Sequence, residues 1–191
     1  MPQSLSENFM IGYNHTSGTN QRICEPCHTP HTNDTNFTKE QWNSQSSRTY
    51  YTLYQSSKDC AINGQAPISG ASKLCLSCHD GTAANLAFGG GSASDSARAS
   101  IGIDLRTDHP ISINYAGALT RGHGYLRPLN YTVPDSIALS CSAGNLAVSD
   151  LLDKEGNVQC TSCHGAHANT APYQLRITGK ASRLCLACHN R

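Results

Sequence analysis

Four times in this chain two cysteines and a histidine fall in the order C-x-x-C-H. The copies are Cys24-Glu25-Pro26-Cys27-His28, Cys75-Leu76-Ser77-Cys78-His79, Cys160-Thr161-Ser162-Cys163-His164 and Cys185-Leu186-Ala187-Cys188-His189. Thiols three residues apart on one helical turn face the same way. They can add as thioethers to the two vinyl groups along one porphyrin edge, while the next residue turns its imidazole onto the iron. This is the attachment signature of a c-type haem. With ten cysteines and nine histidines in 191 residues, a random chain would hold roughly 0.02 such matches. The sequence therefore predicts four covalently bound haems c. Their thioether cysteines are Cys24, Cys27, Cys75, Cys78, Cys160, Cys163, Cys185 and Cys188, and their proximal iron ligands are His28, His79, His164 and His189. Paired C-x-x-C units also build tetrahedral zinc sites. Zinc, however, makes no demand on the residue after the second cysteine, and here that residue is histidine in all four copies.

Four irons need sixth ligands. Methionine is nearly excluded, because only Met1 and Met10 exist. Five histidines remain: His15, His31, His109, His123 and His167. His31 and His167 each stand three residues past a proximal histidine. On a helical turn that spacing places both imidazoles on one face, whereas the two axial ligands of an iron lie on opposite sides of the porphyrin. On this reading His31 and His167 serve neighbouring haems and draw the porphyrins into near contact. His109 precedes Pro110, which holds it extended and makes a stiff mount. The fourth distal place falls to His15 or to His123, which sits between two glycines. His15 is preferred, and the nine residues to Cys24 can reach roughly 30 Å, into the same subunit or the next. Cys60 and Cys141 stand outside the motifs, and in an oxidising compartment they would form a disulfide.

The polypeptide that must position these groups is sparsely equipped to do so alone. Apolar residues make up 38% and aromatics 6%, too little for a large protein-only core at this length. The expected fold is irregular and haem-organised, mostly coil with a few short helices and little strand, and unfolded without haem. Residues 1–23 read as a polar N-terminal arm, 24–79 as a first dihaem module, 80–159 as a connecting segment supplying a distal ligand, and 160–191 as a second dihaem module. Both modules run from C-x-x-C-H-x-x-H through Tyr-x-Leu (Tyr51-Thr52-Leu53, Tyr173-Gln174-Leu175) to Ser-basic-Leu-Cys-Leu-x-Cys-His, which fits duplication of a two-haem unit. A helix is predicted over Lys39–Ser57, Ser72 is predicted to cap the helix of the second haem, Ile111–Tyr115 reads as a short strand, and 116–157 as irregular.

Charged residues are 14% and the formal charge is +1, which the haem propionates would turn negative. No basic run marks a nucleic-acid footprint, and no apolar stretch is long enough to span a membrane. Haem c is attached outside the cytoplasmic membrane, yet Met1-Pro2-Gln3-Ser4-Leu5 opens neither a charged nor an apolar leader region. The chain reads as the mature form of an exported protein, extracellular or at the cell surface, with the periplasm as the alternative.

The segments Cys27-His28-Thr29-Pro30-His31, Cys75–Thr82, Asp108-His109-Pro110-Ile111 and Leu184–His189 resemble the multihaem c-type cytochromes of metal-respiring bacteria. Within that group the chain resembles the OmcE-type tetrahaem filament cytochromes of the outer surface. The resemblance implies low-spin bis-histidine haems, a mostly coil fold and one axial histidine, here His15, donated across a subunit interface. It also implies end-to-end assembly with copies of the same chain, electron supply from other envelope cytochromes and delivery to extracellular acceptors. The leading expectation is a non-enzymatic electron-transfer protein whose four close-packed haems run through a conductive extracellular filament. A monomeric periplasmic tetrahaem shuttle is the first alternative. A multihaem reductase with one open iron position is the second, disfavoured because nine histidines are available for eight positions.

Overall fold

In the computed structural model the described residues are 49–54, 67–81, 100–121, 124–134, 145–167 and 174–190. Coil dominates among them, with short helices and two-residue strands. This is the irregular architecture expected of a chain poor in apolar residues. No helix among them is long and apolar enough to cross a membrane. They fall into two compact units, the chain passing from one to the other after Leu53, Ser72 and Thr107.

One unit holds residues 67–72 and the described residues from Asp108 onward. Here β1 (Ile113–Asn114) pairs antiparallel with β4 (Asn157–Val158), Ile113 opposite Val158. Two further strands, β2 (Thr132–Val133) and β3 (Leu146–Ala147), also pair antiparallel, Val133 opposite Leu146. A helix, α2 (Tyr115–Arg121), leaves β1 directly. Tyr115, Val133, Leu146, Val148, Leu151, Val158, Ile177 and Ala187 form one buried cluster, with Ile113, Leu119, Leu126 and Leu184 packed against it. Each large aliphatic side chain so buried contributes about 1.5–3 kcal/mol. The expectation that 116–157 is irregular is therefore corrected. Its apolar residues are few, but they converge on one another from segments far apart in sequence.

A polar network holds the start of the Cys160–His164 motif. Gln159, 1% exposed, directs its amide Nε2 at Asp153 Oδ2 (2.7 Å), and its Oε1 accepts the Ser72 N–H (3.2 Å). The Ser72 hydroxyl in turn accepts the Cys160 N–H (3.0 Å). Asp153 also turns the chain into β4, its Oδ1 accepting N–H groups of Glu155 and Asn157 (3.0 and 2.8 Å), while Gly156 takes the φ of +76° that the turn requires. Ser72 is thus not the predicted N-cap. The first helix, α1 (Gly70–His79), begins two residues earlier, and Ser72 spends both its N–H and its hydroxyl on the Gln159–Cys160 segment instead.

The other unit holds the described residues 49–53, 73–81 and 100–107. Thr52 bridges Asp104, donating to Ile103 O (3.0 Å) and accepting from Leu105 N (2.8 Å). The part of the predicted Lys39–Ser57 helix that is described is therefore extended, and the rest lies outside the described residues. Ile101 N donates to His79 O (2.7 Å), and Tyr51 Oη donates to the buried carboxylate of Asp80 (2.8 Å). Both contacts sit at the end of α1, where the second motif finishes.

Candidate haem c sites

Three of the four motifs lie on described helical turns. Cys160 and Cys163 are the ends of α3 (Cys160–Cys163), and Cys185 and Cys188 lie on α4 (Arg183–Cys188). In both, the N–H of the following histidine donates to the carbonyl of the first cysteine (His164 to Cys160, 2.9 Å; His189 to Cys185, 2.8 Å). In both, that histidine then leaves the helix in extended conformation (φ −110°, ψ 133° and φ −99°, ψ 138°). The same sequence pattern has produced the same backbone twice. Each turn presents two sulfurs along one edge and frees the imidazole from the helix, as one porphyrin demands. Cys75, Cys78 and His79 are the last residues of α1, which stays helical through the histidine. None of these six cysteines is in a disulfide.

Each departing histidine is held by a second strand. His164 bridges Leu175 antiparallel, with Gly165 N donating to Gln174 O (2.7 Å) and Arg176 N to Cys163 O (2.8 Å). His189 bridges Leu126, with Asn190 N donating to Tyr125 O and Arg127 N to Cys188 O (both 2.8 Å). A Leu-Arg dipeptide does the same work in both places. Sequence reasoning saw the Tyr-x-Leu before Arg176 but missed its counterpart Leu126-Arg127, which lies outside the repeated segments.

The buried thiols are electrostatically linked. Burial pushes Cys188 up to about 11, with Cys163 adding to the shift. Burial also raises Cys163, reinforced by Cys160 and Cys185 and opposed by Arg176. The cysteines of α3 and α4 therefore lie within electrostatic reach of one another.

His109 meets His189. Their ring centroids are 6.2 Å apart with planes at 73°, and both residues are exposed. Metal–imidazole bonds of about 2.0–2.1 Å, with the ring centre about 1.1 Å behind the nitrogen, put two imidazoles on opposite sides of one metal about 6.3 Å apart. The observed spacing fits one iron between them. His109 Nδ1 lies 2.9 Å from Pro110 O. That contact selects the tautomer with its proton on Nδ1 and leaves Nε2 as the ligating nitrogen. A tetrahedral zinc site needs four donors. Among the described residues no group of three or more His, Cys, Asp or Glu is arranged to hold a metal ion.

The argument for His167 changes. His164 to His167 is not a helical turn, since α3 ends at Cys163 and the chain then runs extended into a turn. The same-face geometry that sent His167 to another haem does not apply, although both imidazoles are exposed. Cys24, Cys27, His28, His15, His31, His123, Cys60 and Cys141 lie outside the described residues, so the first motif, the fourth distal ligand and the disulfide carry no geometry.

Residues 154–191 match the doubled CXXCH motif family. No curated protein matches the chain. The match covers α3, α4 and the Leu175-Arg176 clip, and it indicates covalent binding of haem c at these two motifs.

Proposed function

We propose that the protein conducts electrons through four bis-histidine haems c set close together, as the repeating subunit of an extracellular filament. The single observation that carries the bis-histidine reading is the His109–His189 spacing. Bound haem supplies a one-electron iron couple whose potential follows its axial ligands, burial and hydrogen bonds. The chain's own residues do the rest. Cysteine pairs on helical turns anchor the cofactor, the extended His164 and His189 present proximal imidazoles, and the Pro110 carbonyl orients His109 as the distal ligand opposite His189. His31, His167 and His15 are the remaining distal ligands on this reading, with His15 reaching the neighbouring subunit.

Support for assembly comes from the resemblance and from a weakly charged polypeptide, which does little to keep copies apart. Envelope cytochromes would supply the electrons and extracellular acceptors receive them. Pyridine haemochrome absorbance should give four haems per chain, EPR should show low-spin ferric iron only, and negative-stain microscopy of the native protein should show filaments. Dispersed particles under all conditions would leave a monomeric shuttle in their place.

A further inference from the structure

Arg127 and Arg176 occupy equivalent places at two different haem motifs. Each donates its backbone N–H to the carbonyl of the second cysteine, Cys188 or Cys163 (both 2.8 Å). Each also sends its guanidinium back to the carbonyl of the residue just after the first cysteine. Arg176 Nη1 reaches Thr161 O (3.2 Å), and Arg127 Nε reaches Leu186 O (3.4 Å). The last carbonyls of a helical turn have no partner within the helix, so both arginines close the same gap at the same register. Neither guanidinium needs to be an arginine for that purpose alone, since a neutral donor would serve.

The two differ in surroundings. Arg176 is 4% exposed, and its Nη2 is spent on the Asp150 carbonyl (3.1 Å) rather than on a carboxylate. Its Nε is the one buried side-chain donor without a partner among the described residues. Buried cations are ordinarily paired with an anion; the Asp150 carboxylate acts on Arg176 only at a distance, since its hydrogen bond is taken by the Ala147 N–H (2.8 Å). Arg127 is half-buried, with its guanidinium carbon 4.2 Å from the centre of the Tyr131 ring.

We propose that Arg127 and Arg176 are paired positioning residues of the last two haem sites, each fixing its own C-x-x-C turn and lodging a positive charge beside it that raises the reduction potential of the haem attached there. Reduction adds one electron to the ferric site and lowers its net charge by one, so a fixed cation favours the reduced form. The effect grows as the local dielectric falls. Arg176, the more deeply buried, therefore acts more strongly than Arg127. The unpaired Nε of Arg176 offers a donor to an oxygen acceptor, such as the carboxylates that haem brings. This inference rests on the haem reading of the motifs.

The test uses the holoprotein carrying Arg176→Met, Arg176→Lys, Arg127→Met or Arg127→Lys. It combines haem counts by pyridine haemochrome, spectroelectrochemical titration resolved by EPR, and thermal melting. Arg176→Met should lower the potential of one haem, and Arg127→Met should lower a different one by less. Each lysine variant keeps the charge but not the reach. It should recover the potential while melting as low as the methionine variant. Unchanged potentials in both methionine variants with every haem retained would overturn the proposal, as would lysine variants that titrate like methionine. Should Arg176→Met fail to mature, Arg127→Met and the lysine pair decide the same question. A wild-type protein without a haemochrome band would instead remove the haem reading itself, whatever the arginines do.

Discussion

The His109 and His189 ring centroids lie 6.2 Å apart with planes at 73°, although 80 positions separate them in the chain. An edge-to-face pair without metal spans the same range of distances, about 4.5–7 Å, so substitution separates the two readings. Under the ligand reading, His109→Ala opens one coordination position. Ferric EPR should gain a high-spin signal from the haem at Cys185 and Cys188 alone, and the reduced protein should bind CO. His109→Met should keep that haem low-spin and raise its potential, since a His/Met pair favours the ferrous state. An unaltered EPR spectrum in both variants would return the pair to a simple ring contact.

Asp153 predicts a pH dependence of stability. Burial pushes its carboxyl upward, but hydrogen bonds from Asn157, Gln159 and Glu155 outweigh it and hold the group below its ordinary value. A carboxyl with a depressed folded pKa contributes stability that is complete above its unfolded value, about 3.9. That contribution is lost as pH falls through the lower folded value. Asp153→Asn should therefore melt earlier than wild type at neutral pH, by about 1–2 kcal/mol, and the difference should shrink below about pH 4. A gap that stays constant down to pH 2 would show that the charge is not what the turn uses.

What the sequence made legible, and what it hid, follows from the range of the interactions involved. The C-x-x-C-H turns could be read because the helical turn, the paired sulfurs and the departing histidine are set by residues within five positions. His109 could be singled out because Pro110 constrains it locally. Its partner could not, since nothing near His109 in the chain points to His189. The Leu-Arg clips were hidden for the same reason, as Leu126 and Leu175 find their histidines through backbone bridges that leave no periodicity. The core over 115–158 was missed because its strands are two residues long, too short for alternation to register. The helical argument for His167 failed at a boundary, where His164 turns to extended backbone and ends the helix.

Gly70 sits where a side chain would collide. Its φ is +56°, and a Cβ there would lie 2.8 Å from Gln159 Nε2 and 3.3 Å from its Cδ. Gly70→Ala should cost about 1–2 kcal/mol from the left-handed backbone alone, plus whatever Gln159 loses by moving. Gln159→Ala removes the obstructing amide but strands the Ser72 N–H and leaves Asp153 Oδ2 only the longer bond from Asn157 Nδ2 (3.4 Å), at about 1–3 kcal/mol. The two changes touch one contact, so the double variant should be less destabilised than the sum of the singles. Melts of the four proteins at fixed haem content would measure that coupling. Strict additivity would mean that Gly70 answers to backbone strain only.

Tyr115 links the apolar cluster to the last haem turn. Its ring is 2% exposed within the core, and its hydroxyl lies 2.9 Å from Arg127 O and 3.1 Å from Cys188 O. Burial holds the phenol well above its usual pKa, so at any pH the folded protein survives, the group is a neutral donor and its bond does not titrate. Tyr115→Phe keeps the ring packing and removes only the hydroxyl, which should cost about 1 kcal/mol. The loss falls on the carbonyl of Cys188, the residue immediately before His189. The same variant should therefore broaden the EPR of the haem at that site while leaving the others unchanged. Tyr115→Ala would instead open a core cavity and cost about 3–5 kcal/mol, as for other large aromatics. If the phenylalanine variant melts lower yet every haem signal stays as sharp as wild type, the hydroxyl stabilises the core without bearing on His189.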